Sequence, residues 1–270
     1  MHEIEISDAD LQSQAQEATA ILRSRYLVGL FNRPGGANTD TQQVASGFLV
    51  KYRGHHYIAS CGHALESPDF DIWLTANSSF LAPTEVCNPS VDIQFVNDHF
   101  DLGYVRIENP QKFLDAGMSF LAMPDTFLEP LENWHHNSFF VLLGYPWSAV
   151  KMEPISASPG GIIAPGVSFF RQNFCNVSVN LQEVVSDTDT AFEIGTKARD
   201  PNPDVAFHFG GFSGGPIFRL DSLSGLRGDP CGFQVVGIQF SQRLLSSDSV
   251  ILKAHHIRHW ATFVSASSFE

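Results

Sequence analysis

Gly210-Gly211-Phe212-Ser213-Gly214-Gly215-Pro216 runs directly into the strand-like pair Ile217-Phe218, and this stretch decides how the rest of the chain is read. A hydroxyl nucleophile for acyl transfer needs exposure, a nearby base, and backbone N–H groups aimed at the developing oxyanion. Glycines on both sides of Ser213 let the backbone take positive φ and bring bare amides up to a ligand. The amides of Gly211 and Ser213 are the candidate oxyanion donors, and Pro216 fixes the exit into the next strand. A serine in a glycine-rich turn is usually only a turn. The catalytic reading therefore needs a base and an acid elsewhere.

Two segments supply them. Ser60-Cys61-Gly62-His63-Ala64-Leu65 follows an apolar run, so a histidine at a strand end can present one ring nitrogen to the serine. His99-Phe100-Asp101-Leu102-Gly103-Tyr104-Val105 places a carboxylate at the head of another apolar run, where it can fix the imidazole tautomer and stabilise the imidazolium. The chain order His, Asp, Ser is one of the known triad orders and differs from that of the α/β-hydrolases. Asp92 and Asp98 compete locally with Asp101, which leads because an apolar strand follows it at once. Cys61 reads as a small buried residue supporting the histidine turn rather than as a thiol nucleophile.

Working outward, residues 44–52 and 57–60 are apolar-rich runs joined through Arg53-Gly54, a hairpin signature. Further strands are expected at 26–31, 71–74, 93–96, 102–107, 139–143, 216–220 and 234–240. Loops rich in Pro, Gly, Asn and Ser fall at 33–41, 82–90, 156–166 and 200–204. Residues 7–24 predict a helix, with Ser7 as N-cap and Leu11, Ala15, Ala18 and Leu22 at helical spacing. Ile257, Trp260, Ala261 and Val264 predict a second helix at the end of the chain. Many short strands with turn signals argue for an all-β barrel or sandwich, and residues 108–137 read as a linker between two β halves.

The 270 residues carry a net charge of −13, with no dense Lys/Arg run, which disfavours a nucleic-acid or anionic-membrane partner. No apolar stretch is long enough for a membrane-spanning helix. Cys61, Cys87, Cys175 and Cys231 form no CxxC pair, and the N-terminal residues lack a signal-peptide pattern, so free thiols and a cytoplasmic location are expected. His255 and His259 lie four apart and invite a metal reading, but no third ligand sits at a suitable spacing. They are expected on the solvated surface of the last helix, and no metal or organic cofactor is called for.

Ser46-Gly47-Phe48-Leu49-Val50, followed by Cys61 to Leu65, resembles the strand pair and histidine turn of the trypsin-like serine proteases. Asp101 to Val105 is similar to that family's aspartate strand, and Gly211 to Pro216 to its nucleophile loop. Leu143-Gly144-Tyr145-Pro146 and Val235-Val236-Gly237-Ile238 add supporting matches, so the resemblance covers roughly residues 25–264. It implies two six-stranded antiparallel β-barrels, at about 25–125 and 130–265, with the N-terminal helix as an extension over 1–24 and a helix at the C-terminus. It also implies a triad of His63, Asp101 and Ser213 with an oxyanion hole at Gly211 and Ser213. Phe212 stands where the digestive members carry an aspartate that pairs with a newly cut N-terminus. Activation by such a cut is therefore not expected, and intracellular bacterial-type relatives fit better.

By alignment to the nucleophile, Phe207 and His208 should line the primary specificity pocket, and Phe240, Ser241 and Gln242 should continue the channel edge. No acidic residue occupies the pocket base, so a preference for Lys or Arg is not supported. The expected activity is peptide-bond hydrolysis in a protein or peptide substrate, narrowed to specific processing in a bacterial defence or stress pathway. Inserts at 156–166 and 196–206 could cover the site, which leaves room for an activating protein partner. The alternatives are a latent or inert binding module on a protease fold, and an esterase using the same triad.

Overall fold

Alternation along the strands, one side chain to each face of a pleated sheet, organises the molecule. The computed structural model describes residues 20–32, 43–66, 70–77, 79–96, 100–124, 139–145, 150–153, 169–172, 177–179, 183–197, 211–220, 233–246 and 249–267. Within them the chain is mostly β, in two largely antiparallel sheets with few helices.

The first sheet holds β1 (Leu27–Asn32), β2 (Gln43–Tyr52), β3 (His55–Ser60), β4 (Phe70–Leu74), β5 (Ser79–Leu81), β6 (Ile93–Val96), β7 (Leu102–Ile107) and β8 (Leu121–Ala122). Its order is β5-β4-β1-β2-β3-β7-β6, and β8 pairs with β2 in parallel. The second part of the chain adds β9 (Phe139–Leu142) and the separate pair β10 (Val150–Glu153) and β11 (Phe169–Gln172). It continues with β12 (Val177–Val179), β13 (Glu183–Asp187), β14 (Ala191–Lys197), β15 (Pro216–Leu220), β16 (Phe233–Leu244) and β17 (Ser249–His256). The second sheet runs β12-β9-β15-β16-β17-β14-β13, so among the described residues the sheets have eight and seven strands where six each were expected.

Successive residues of one strand enter different cores. In β1, Val28 and Leu30 join one apolar cluster while Leu27 and Phe31 join another. β2 divides in the same way, with Ala45 and Leu49 on one side and Phe48, Val50 and Tyr52 on the other. Each sheet thus has a cluster of its own, and its opposite face shares a third cluster with the other sheet. Tyr57 and Tyr104 of the first sheet meet Val141, Phe218 and Ile238 of the second there. Strands buried on both faces cannot show a clean polar–apolar alternation, and this explains their near-continuous apolar runs.

The C-terminal helix, Ile257–Ser267, closes the shared cluster. Its buried residues are Ile257, Trp260, Ala261 and Val264, the face expected from spacing. Trp260 packs edge-on against Tyr57, and its indole N–H donates to the Gly103 carbonyl at 3.1 Å. A buried indole needs such a partner. Residues 20–26 are helical, and the expected helix otherwise lies outside the described residues.

Three expectations about local structure change. The stretch read as a linker, 108–137, carries a short helix at Gln111–Asp115 and the strand β8, which joins the first sheet. The 82–90 loop carries a 3-10 turn at Pro83–Glu85 and leads into a short helix, Pro89–Asp92, capped by the Asn88 side chain. His255 belongs to β17, not to the helix surface, and only 2% of it is exposed. β17 runs straight into the helix at Ile257, so the spacing of four between His255 and His259 spans a strand–helix junction and places no common face.

Candidate active site

Strand register brings the first two residues together. β3 and β7 are antiparallel neighbours with Ser60 opposite Gly103. Carried on by two residues, that pairing sets Gly62 opposite Asp101, with His63 next in line. Asp101 then grips the histidine turn twice. Its Oδ1 accepts from the His63 backbone N–H at 2.8 Å, and its Oδ2 bonds the His63 ring at Nδ1, also at 2.8 Å. Asp101 takes φ 35, a left-handed conformation that aspartate tolerates better than most residues. The carboxylate is 18% exposed and the imidazole 42%, so the acid is the covered partner.

The electrostatics follow from this contact. Burial works to raise the Asp101 carboxyl, but the ring bond, the backbone bonds from His63 and Gly62 and the imidazole charge hold it below its usual value. His63 is raised to about 10, chiefly by its bond to Asp101 and then by Cys61, against the opposing effect of burial. Its outer nitrogen, Nε2, lies 3.6 Å from Cys61 Sγ. Cys61 is fully buried in the first sheet's own cluster, as expected of a residue supporting the turn. Asp92 uses its carboxylate to accept from the Asn88 amide at 2.8 Å, which removes it as a rival to Asp101, while Asp98 lies outside the described residues.

The Gly211–Gly215 loop leads into β15 of the second sheet and is placed by the first. Ser46, on β2 and wholly buried, is the junction. Its amide donates to the Ser213 carbonyl at 2.8 Å, and its hydroxyl donates to the Gly211 carbonyl at 2.7 Å. The same hydroxyl accepts from the Tyr145 amide at 2.9 Å, and the Ser46 carbonyl accepts from the Ser60 hydroxyl at 2.7 Å. On the other side, the Gly214 amide donates to the Gln239 carbonyl at 2.7 Å, and the Gln239 amide donates to the Gly215 carbonyl at 2.9 Å.

Glycine is required at 214. Its φ is +84, and a Cβ there would lie 2.1 Å from the Ser46 carbonyl oxygen and 3.0 Å from the Cys61 amide nitrogen. That close approach presses the loop against the end of β3, three residues before His63. Gly211 also has positive φ, at 91. Phe212 turns inward, fully buried in the second sheet's own cluster, where its ring lies over Gly144. Among the described residues neither the Ser213 amide nor its hydroxyl makes a hydrogen bond, so both are available to a ligand.

Of the expected channel residues, Phe240, Ser241 and Gln242 are half-buried on β16. Phe240 stacks on His255 with ring centroids 4.0 Å apart and packs against the first sheet's cluster. Phe207 and His208 lie outside the described residues. β15 pairs with β16 as far as Ile238, the Gly214–Gly215 turn takes both backbone groups of Gln239, and among the described residues the edge of β16 beyond has no strand on that side. Cys61 and Cys87 are free thiols, and Cys175 and Cys231 lie outside the described residues. No helix is long and apolar enough to cross a membrane.

Sequence reasoning gave Ser46 no role beyond its place in a strand. A serine inside an apolar run does carry a signal, because a buried hydroxyl must find partners, but the run alone does not say where they are. The contact between Cys61 and His63 also went unread, although a spacing of two across a tight turn allows it. Compared with models of known protein families and with curated proteins, the chain matches none.

Proposed function

We propose that the chain is a serine endopeptidase built on the trypsin-like double barrel, with barrels at about 25–125 and 130–265. One observation carries this reading: the Gly211–Gly215 loop of one sheet is bonded to Ser46 and pressed against Ser60 and Cys61 of the other, beside a histidine already fixed by Asp101. The division of each sheet's strands between a private and a shared cluster is what two curled sheets packed together would produce.

In this mechanism His63 Nε2 takes the Ser213 hydroxyl proton as Oγ attacks the scissile carbonyl. Asp101 holds Nδ1–H and stabilises the imidazolium, while the Gly211 and Ser213 amides receive the oxyanion. The imidazolium then protonates the leaving amine, and water repeats the sequence to release the acid and restore Ser213. A peptide is favoured over a small ester because the edge of β16 beyond Gln239 can accept an extended strand. The sequence reading of an acidic chain with no basic run agrees with a protein substrate rather than nucleic acid.

Labelling with a fluorophosphonate tests the proposal, beside Ser213→Ala and His63→Ala. Labelling of the wild type that both variants lose is the expected result. A folded wild type that stays unlabelled overturns it. One observation favours the second reading, a latent site on the same fold: His63 Nε2 faces Cys61 Sγ and makes no bond to Ser213 among the described residues. A wild type that labels only after a protein partner is added would select that reading.

A further inference from the structure

The contact between Cys61 and His63 has no part in acyl transfer, yet it has the dimensions of a metal seat. We propose that Cys61 Sγ and His63 Nε2 together bind a soft divalent cation, Zn2+ above all, and that the cation switches the site off. The switching half of this rests on the serine-protease reading; the binding half does not.

Three observations converge. First, two ligands of one tetrahedral zinc, with Zn–S of about 2.3 Å and Zn–N of about 2.0–2.1 Å, stand about 3.5–3.6 Å apart. Sγ and Nε2 are 3.6 Å apart. Second, the far nitrogen of the same ring is bonded to the Asp101 carboxylate at 2.8 Å. That is the carboxylate–histidine arrangement which fixes the tautomer of a metal-bound imidazole and raises its basicity. The ligand atoms of Cys61, His63 and Asp101 lie within 4.8 Å of one another, with Asp101 as the outer partner.

Third, the pair is held in place. Cys61 is fully buried and His63 is fixed through both backbone and ring, so neither ligand must be ordered when the ion arrives. Thiolate and imidazole select zinc or copper over magnesium or calcium. On binding, the thiol proton and the imidazolium proton on Nε2 leave to solvent, and the thiolate and the freed Nε2 lone pair each donate to the metal. Water completes the coordination. With its lone pair occupied, Nε2 cannot accept the Ser213 proton.

The test uses the full chain in two arms. Cobalt is titrated into wild type, Cys61→Ala and His63→Gln, following the ultraviolet thiolate-to-cobalt band, since the chain has other cysteines and only the difference between proteins is informative. A wild-type band that Cys61→Ala loses and His63→Gln weakens is expected. An identical band in all three overturns the site, whether or not the protein is a protease.

In the second arm, fluorophosphonate labelling is compared with and without zinc for wild type and Cys61→Ala, each as a ratio to its own metal-free rate. At a zinc concentration about ten times the wild-type Kd, labelling falls about tenfold in the wild type and stays near unity in Cys61→Ala. Equal inhibition of both proteins overturns the switch. A wild type that never labels sinks the protease reading and leaves the cobalt arm to decide the metal site. Should Cys61→Ala misfold, His63→Gln at its half-exposed position decides the cobalt arm alone: an undiminished band there refutes the site.

Discussion

The two sheets place their share of the candidate site by opposite means. The first sheet fixes His63 and Asp101 through each other: neighbouring strand ends bring them together and side-chain bonds lock them. The second sheet contributes Ser213 on a loop held through backbone carbonyls and amides, with glycines admitting the turn and Ser46 of the other sheet taking two of the carbonyls. On the proposed reading, the acid–base pair is locked by bonds made within one sheet, and the nucleophile is positioned by bonds made between the two. Changes within the first sheet should damage the chemistry and spare the loop. Changes at the junction should do the reverse.

The strongest test of that separation is Asp101→Asn, since asparagine also tolerates a positive φ. Fluorophosphonate labelling is expected to fall about 10³–10⁴-fold with thermal stability little changed, the effect of losing the correct tautomer. A loss below tenfold would break the assignment of Asp101. Next comes Gly214→Ala, where the new methyl meets the Ser46 carbonyl and the Cys61 backbone, which cannot swing aside. The loop must shift, and a displacement of about 1 Å is expected to cost about 10²-fold in labelling. The His63 pKa, followed by NMR, should stay where it is. If it moves with the loop, the two halves are coupled and the comparison fails.

Ser46→Ala probes the junction more gently. It leaves the Tyr145 amide without its acceptor and the Gly211 carbonyl without its donor, in a fully buried setting. About 2–4 kcal/mol of stability should be lost in urea unfolding, with labelling reduced about tenfold. An unchanged midpoint would mean that the junction does not hold the loop.

The smallest effect is in pH. His63 is raised to about 10 from 6.5, so the neutral base appears only on the alkaline side, and labelling should climb with a midpoint well above 6.5. Removing the Cys61 contribution in Cys61→Ala should move that midpoint down. For a raised histidine the linked stability is fully present below 6.5 and lost as pH rises through about 10. Wild type should therefore lose more stability than His63→Gln across that window.

The sequence was most readable where one physical signal ruled. β6, β7 and β15 begin and end where apolar runs and turn residues put them, and the last helix buries the four residues named from spacing. It was least readable where two elements abut without punctuation. Ser249–His256 passes into a helix with no cap residue or glycine between, so His255 was read onto the helix that in fact begins two residues later. At the candidate site, the residues proposed as a triad could be named because acyl-transfer chemistry restricts such roles to a few residue kinds, and the structure brings His63 and Asp101 together. The place of Ser46 was not, because its partners lie 165 residues along the chain for Gly211 and 99 for Tyr145, and no local pattern encodes them. The pairing of Cys61 with Nε2 depends on a ring rotamer, which the letters of a sequence do not carry.

The bond from Trp260 to the Gly103 carbonyl also sets a schedule. Gly103 lies two residues past Asp101, and the apolar cluster around Tyr57 and Tyr104 is filled from the far end of the chain by Trp260, Ala261 and Val264. Until the helix over Ile257–Ser267 has been made and folded, that layer stays open. A nascent chain that already carries His63, Asp101 and Ser213 still lacks the wedge that seats the aspartate strand. On the proposed function, the acid–base pair is complete only once this helix has docked on Gly103.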